Sequence, residues 1–171
     1  MNLRRFASAL LFGIAAIASQ AHALDDMRHG SWESGADEKR TFYSAATSND
    51  SGNTLGLVCY VENGMCYWVL LVGNSCETDG TYLVLVNTST GATTHQLTCL
   101  DLGETKMMVF NDFEAIEAEV RKNPRIGIAF PMRDGAFIVM RFPLDGASPA
   151  IDRAKRLVAE ATKDSTVNQR L

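Results

Sequence analysis

The sequence predicts an α+β fold that is mainly β: an antiparallel sheet or sandwich of about eight strands, with two helices at about residues 112–123 and 149–162. Short apolar and β-branched runs alternate with turns rich in Gly, Asn and Asp, which is typical of antiparallel strands. Two later stretches repeat their apolar residues with the period of a helix. Four cysteines lie among the strand-like runs: Cys59, Cys66, Cys76 and Cys99.

The first 23 residues have the organisation of a secretory signal peptide. Arg4 and Arg5 form a positive start, residues 6–18 are mostly apolar, and Ala21 and Ala23 match the small-x-small pattern that signal peptidase requires. The apolar run is shorter than the roughly 20 residues that span a bilayer. The sequence therefore predicts cleavage after Ala23 and a periplasmic or secreted protein that is not embedded in a membrane.

Charge argues against nucleic acid as a partner. Loss of Arg4 and Arg5 from the 16 basic residues leaves 14 against 20 acidic ones, a net charge of −6 for residues 24–171. Such a chain repels a phosphate backbone. Its length suits a single domain, predicted at 40–162, between a flexible N-terminal arm at 24–39 and a disordered tail at 163–171.

The first half of the chain predicts paired strands. The arm is polar, and its Trp32 is expected to tuck onto the core. Residues 41–47 form a first strand, and 55–71 form a hairpin because Asn63-Gly64 supplies the positive φ values of a tight turn. With these two residues as the loop, Cys59 and Cys66 occupy diagonal positions on one face. Residues 81–86 and 93–100 predict the next hairpin.

The second half adds a short strand at 106–110 and then the first helix. Asn111 is its expected cap, with Glu114 closing a capping box, and Pro124 ends it. Strands follow at 126–130 and 136–142, and the second of these is expected to be central because both of its faces are largely apolar. Ser148 and Pro149 then predict the start of the second helix.

An even number of cysteines in an exported chain predicts two disulfides. Cys76 precedes one strand of a hairpin and Cys99 ends the other, so Cys76–Cys99 with Cys59–Cys66 is the preferred pairing. The pairing of Cys59 with Cys76 and of Cys66 with Cys99 stays open at this point. The spacings contain no C-x-x-C, which argues against a zinc site and against a redox enzyme.

Few residues suggest chemistry. His95 lies on a strand without a nearby nucleophile, and no G-x-S-x-G turn is present. Arg133 and Asp134 at a hairpin tip, and Arg141 within an apolar strand, are the remaining polar candidates for a binding site. We expect no catalytic residue, no metal and no cofactor.

One segment carries a family resemblance. Residues 126–150, IGIAFPMRDGAFIVMRFPLDGASPA, resemble the C-terminal end of invasion-associated locus B proteins, and Trp32 near the mature start fits loosely. The cysteine positions depart from that family's pattern, since Cys59 is distant from Trp32 and Cys99 has no close partner late in the chain. The resemblance implies a small exported bacterial protein that is β-rich, disulfide-bonded and host-associated.

These observations predict an exported, non-enzymatic binding protein with a protein partner. The alternative is a periplasmic inhibitor or immunity-type protein that blocks a wall-active or proteolytic enzyme. An acidic surface suits a basic target, and the inhibiting loops would be residues 77–80 or 132–135.

Overall fold

The computed structural model describes residues 26–72, 76–101, 106–132 and 135–168. The predicted signal peptide lies outside the described residues, and so do Arg133 and Asp134. The fold class is mainly β with two helices, as predicted, and the strands number ten in the described ranges rather than about eight.

All of these strands belong to one antiparallel sheet. In chain order they are β1 Met27–His29, β2 Trp32–Ala36, β3 Phe42–Ser48, β4 Thr54–Tyr60, β5 Cys66–Leu71, β6 Thr81–Thr88, β7 Gly91–Asp101, β8 Lys106–Phe110, β9 Arg125–Pro131 and β10 Phe137–Pro143. Their order across the sheet is β1-β2-β3-β4-β5-β8-β7-β6-β9-β10. Helix α1 spans Phe113–Lys122 and α2 spans Ala147–Asn168.

The sheet curls around a core on its inner face, which the two helices cover. Helix α2 packs on β1 to β4, and α1 packs on β5, β9 and α2. Trp32 and Trp68 meet edge to face at the centre, with ring centroids 6.2 Å apart. The largest fully buried side chains are Trp32, Trp68, Phe142, Leu55, Leu57, Leu70, Leu97, Met108, Ile116, Ile126, Ile128 and Met140.

The expected N-terminal arm is wrong for residues 27–36, because these residues form β1 and β2. Trp32 is fully buried, as expected, and its Nε1 donates to the Pro143 carbonyl at 3.0 Å. Ser31 donates to the Asp145 carboxylate from its amide and its hydroxyl, at 3.1 and 2.7 Å. The first hairpin is therefore tied to the segment that follows β10.

The hairpin of β4 and β5 has a different register from the predicted one. Cys59 lies directly opposite Cys66, and five residues, 61–65, connect the two strands rather than two. Gly64 has φ +68° and Asn63 accepts a hydrogen bond from the Met65 amide, so both residues still shape the turn. The longer loop brings the two cysteine Cα atoms to 4.0 Å and allows their disulfide. The second disulfide joins Cys76 and Cys99, which completes the preferred pairing.

Both helix caps differ from expectation. Asp112, not Asn111, caps α1, since its carboxylate accepts from the Ala115 amide at 3.0 Å. The Asn111 side chain instead contacts β7, where it accepts a hydrogen bond from the Thr98 hydroxyl. Helix α2 begins at Ala147, one residue before the expected Ser148 cap. It extends to Asn168, so residues 163–168 are helical rather than disordered.

Strand β10 is an edge strand, not the central strand predicted. Met140 and Phe142 point into the core, whereas Phe137, Val139 and Arg141 on the other face are exposed. Two apolar faces suggested burial on both sides, but the structure buries only one. Arg141 therefore lies in solvent and does not form a buried site.

Candidate binding surface

A hollow lies on the outer face of the sheet, on the side away from the helices. It is a cavity of about 580 Å³ that crosses β3, β4, β5 and β8. We call it the outer groove, and its lining consists of Phe42, Ser44, Ala46, Thr54, Gly56, Val58, Tyr60, Val69, Leu71 and Met107. Each of these residues alternates along its strand with a core residue, so the pleat that builds the inner face also builds the groove.

The floor of the groove depends on close approach between β3 and β4. Gly56 lies opposite Ala46, and a Cβ at Gly56 would lie 2.8 Å from the Ala46 Cβ and 3.0 Å from the Ala45 carbonyl oxygen. Val69, opposite Gly56 on β5, is only 3% exposed although it is on the outer face. The missing side chain at Gly56 therefore leaves a depression where a pleated surface would otherwise be filled.

A row of aromatic rings forms one wall. Phe42 and Tyr60 are cross-strand neighbours with ring centroids 6.0 Å apart, and Tyr60 and Tyr67 are separated by the same distance. Tyr67 also donates to the Met65 sulfur at 3.7 Å. Rings of this kind present apolar area at low entropic cost and keep a hydroxyl in water, which suits a recognition surface.

Two smaller hollows extend the groove. One of about 280 Å³ shares Val58, Tyr60, Val69 and Met107 with it and reaches Glu62 in the β4–β5 loop. The other, of about 360 Å³, shares Ser44 and Ala46 and leads to β1 and β2. There Arg28 and Glu33 form an exposed ion pair at 3.8 Å. The outer face thus carries a continuous trough, apolar in the middle and charged at both ends.

His95 is brought next to a carboxylate that its sequence neighbours do not reveal. Its Nε2 lies 3.3 Å from Glu119 Oε1 on α1, and the Thr93 hydroxyl bonds to both groups. His95 is only 5% exposed, and its ring is nearly perpendicular to that of Phe110, with centroids 5.8 Å apart. The cluster ties β7 to α1, and its imidazole lies inside the protein rather than on the outer groove.

Helices α1 and α2 are joined by an ion cluster centred on Glu117. Its carboxylate accepts from Lys155 at 2.7 Å and from Arg121 at 2.9 Å. Partial burial alone would raise the pKa of Glu117, but these two charged donors outweigh it and hold that pKa below its ordinary value. Arg121 also binds Asp152 at 2.8 Å, and its own pKa is raised despite desolvation. The cluster holds α1 and α2 together over the inner face of the sheet.

The loop at 77–80 is exposed and held from several sides. The Glu77 amide donates to the Tyr82 hydroxyl at 2.8 Å, and Thr78 donates to Asp101 at 3.0 Å. The Asp79 amide donates to the Cys99 carbonyl, beside the Cys76–Cys99 disulfide. Asp79 has φ +60°, so the turn displays a carboxylate from a left-handed backbone position. Of the other predicted loop, residues 132–135, only the two ends are described.

None of the residues singled out from the sequence lines the outer groove. His95 is internal, Arg141 is on the β10 edge, and Arg133 and Asp134 lie outside the described residues. The groove does have a sequence signal, because β4 and β5 carry apolar residues at both alternations. When only one face of such strands is buried against the core, the apolar side chains on the other face remain on the surface of the sheet. Within the described ranges, no three His, Cys, Asp or Glu side chains cluster as a metal site would require.

In the part of the chain that the structure describes, no helix has the length and apolar character needed to cross a membrane.

No family model and no curated protein matches the sequence. The fold is similar to the crystal structure of invasion associated protein B from Bartonella henselae, with a TM-score of 0.54 and 15% sequence identity. The match covers 77% of this chain and 96% of that chain. This likeness concerns the fold, and it agrees with the resemblance that residues 126–150 suggest.

Proposed function

We propose that this chain is an exported, non-enzymatic binding protein whose outer groove holds an apolar segment of a protein partner. The observation that carries the proposal is the groove itself, an apolar depression with an aromatic wall on a face that neither α1 nor α2 covers. Interfaces are enriched in aromatic residues and Met, and Phe42, Tyr60 and Met107 supply both.

Export is supported by two independent features. The leader predicts cleavage after Ala23, and the four cysteines pair into two disulfides, which persist in oxidising compartments. The similar protein from Bartonella henselae is described as invasion-associated. We extend that description to this chain as a proposed host-associated role.

Cross-linking at Tyr60 tests the groove directly. The full chain, expressed in its native host with a photoreactive phenylalanine analogue in place of Tyr60, should form a covalent adduct with one protein on illumination. The same analogue at Glu160, which is exposed on α2, is the matched control and should give none. Equal adducts from both positions, or no adduct from Tyr60, would refute binding in the groove. Mass determination of the mature protein should also place its first residue at Leu24.

The second candidate function is inhibition of a wall-active or proteolytic enzyme by the 77–80 loop. A rigid exposed loop beside a disulfide loses little entropy on docking, which favours an inhibitor. Asp79 and Asp101 give this loop the acidic character that a basic enzyme cleft would attract.

A lysozyme assay separates the two candidates. Inhibition by the mature protein should be lost in Asp79→Asn, because Asn keeps the left-handed backbone while removing the charge. Full lysozyme activity in the presence of the unaltered protein would dismiss this candidate and leave the groove proposal intact.

A further inference from the structure

Strand β10 ends the sheet with an open row of backbone groups. The Met132 amide donates to the Ala136 carbonyl, and the Leu144 amide donates to the Pro124 carbonyl. Hydrogen-bonded pairs alternate along an antiparallel ladder, so the even-numbered residues of β10 bond to β9. The N–H and C=O groups of Phe137, Val139 and Arg141 therefore point to the open edge.

The open stretch has a defined end. Pro143, the next odd-numbered residue, has no N–H, and its carbonyl already accepts from Trp32 Nε1. The first hairpin thus covers β10 at Pro143. What remains available is a strand edge of three donors and three acceptors, from Phe137 to Arg141.

The outer face beside this edge is apolar. Leu85 on β6, Ala129 on β9 and Val139 on β10 form one cross-strand row. Leu83 and Phe137 extend the same face and are 62% and 60% exposed. Contiguous apolar patches of this kind on a soluble domain mark interaction sites. We call Leu83, Leu85, Phe137 and Val139 the edge patch.

The opposite edge of the sheet is built differently. Strand β1 is only three residues long, and its Arg28 faces solvent beside Glu33. Short and charged edge strands discourage further pairing, whereas a long apolar edge invites it. Of the two edge strands in the described ranges, β10 is the one with the features of an edge that accepts another strand.

We propose that β10 pairs antiparallel with β10 of a second copy of this chain, across a two-fold axis at Val139. Val139 then faces its counterpart, and Phe137 faces Arg141 of the other copy in both directions. Three open N–H groups on each of two strands give six main-chain hydrogen bonds. Each guanidinium lies over an aromatic ring, a favourable cation–π arrangement.

The charge on Arg141 selects this register. Moving the axis to Arg141 sets the two guanidinium groups opposite each other, which is destabilising, and brings in Pro143, which cannot donate. Moving the axis toward Gly135 leaves Arg141 without a strand residue opposite. The axis at Val139 is the register that uses every open donor of the stretch and separates the two positive charges. The outer groove lies on other strands and remains accessible.

Cysteine cross-linking tests the pairing in the mature chain. Directly opposite residues in a hydrogen-bonded antiparallel pair have Cα atoms about 5.5 Å apart, within the range of a disulfide. Val139→Cys should therefore form a covalent dimer under mild oxidation. Leu85→Cys, exposed on the same face but two strands inward, is the control and should remain largely monomeric. A dimer from Leu85→Cys but not from Val139→Cys would overturn the strand pairing.

Sedimentation of the unmodified mature chain tests the assembly itself. A dimer whose population rises with protein concentration is expected, because a contact between two short strands is small and such small interfaces are typical of reversible association. Val139→Pro removes the central donor and should abolish the dimer. Arg141→Glu should weaken the dimer while leaving the melting temperature of the dilute, monomeric protein unchanged. A chain that stays monomeric at millimolar concentration would refute the proposal, as would capture of a different protein's strand by the Val139 cysteine.

Discussion

The two faces of this sheet are made by the same strands and differ in what they do. Along β3, Tyr43 and Ala45 point inward and are buried, while Phe42 and Ser44 point outward and are half-buried. The inner face is closed by two helices, whereas the outer face is left open as a groove. Because successive side chains of a strand point to opposite faces, residues that stabilise the core alternate with residues that line the groove along the same strand.

Substitutions on the inner face should therefore lower the free energy of unfolding by several kcal/mol, whereas substitutions on the outer face should change it by about 1 kcal/mol or less.

Trp68→Ala should produce the largest loss. Trp68 is fully buried against Trp32, and truncating a buried aromatic residue costs about 3–5 kcal/mol of unfolding free energy. Urea unfolding followed by circular dichroism measures it. A loss below about 1 kcal/mol would contradict the central place of this ring pair in the core.

Removal of each disulfide should come next, with unequal effects. Cys76–Cys99 joins residues 23 apart and Cys59–Cys66 joins residues seven apart. The loop-entropy estimate gives about 3 kcal/mol for the first and about 2 kcal/mol for the second. Double Cys→Ala variants of each pair, compared by thermal melting, check the order. A larger loss from the short loop would show that strain or packing outweighs chain entropy.

Glu117→Gln should weaken the link between α1 and α2 and lower the free energy of unfolding by about 1–2 kcal/mol near pH 7. Because the folded-state pKa of Glu117 is lowered, its contribution is complete above the ordinary pKa of about 4.3 and disappears as pH falls through the lower folded-state value. The difference in unfolding free energy between the unaltered protein and the variant should therefore vanish in acid. Urea unfolding at a series of pH values measures it.

Glu160→Gln is the control for that experiment. Glu160 pairs with Arg156 at 3.9 Å, and both side chains are 61% exposed, so its loss should change stability little. A pH-independent gap for Glu117→Gln, or an equal gap for Glu160→Gln, would argue against the ion cluster as the link between the helices.

Tyr60→Ala should have the smallest effect on stability. The ring is half-buried on the outer face, and its contacts with Phe42 and Tyr67 are worth about 1 kcal/mol or less in unfolding free energy. The melting temperature should stay close to that of the unaltered protein while the groove loses part of its wall. A loss comparable to that of Trp68→Ala would erase the distinction between the two faces.

Local patterns in the sequence predicted the strands and helices better than their arrangement. The buried stripe of α1, with Ile116 and Val120, follows from spacing alone. The edge position of β10 does not, because apolar residues on both faces look the same whether a second sheet, a helix or another molecule covers them. The place of His95 depends on Glu119, which is 24 residues away and on a different element.

The outer groove was missed for a related reason. Its lining residues are unremarkable one by one, and the depression arises only where Gly56 on β4 lies beside Ala46 on β3. Such a hollow depends on register, and the register of the β4–β5 hairpin was itself displaced by the longer loop. Polar residues such as Arg141 are the ones that a sequence pattern marks as binding candidates, whereas the groove is lined mainly by apolar and aromatic side chains.

The tie between the first hairpin and the end of β10 has a consequence for how the chain reaches its fold. Ser31 bonds to Asp145, 114 residues away, and Trp32 bonds to Pro143, 111 residues away. Contacts at such separation form slowly, because a long loop must close before they contribute. When the chain emerges N-terminus first, the β1–β2 hairpin therefore lacks its hydrogen-bond partners until Pro143 and Asp145 have also emerged. Its native state becomes available only near the end of its synthesis or transit.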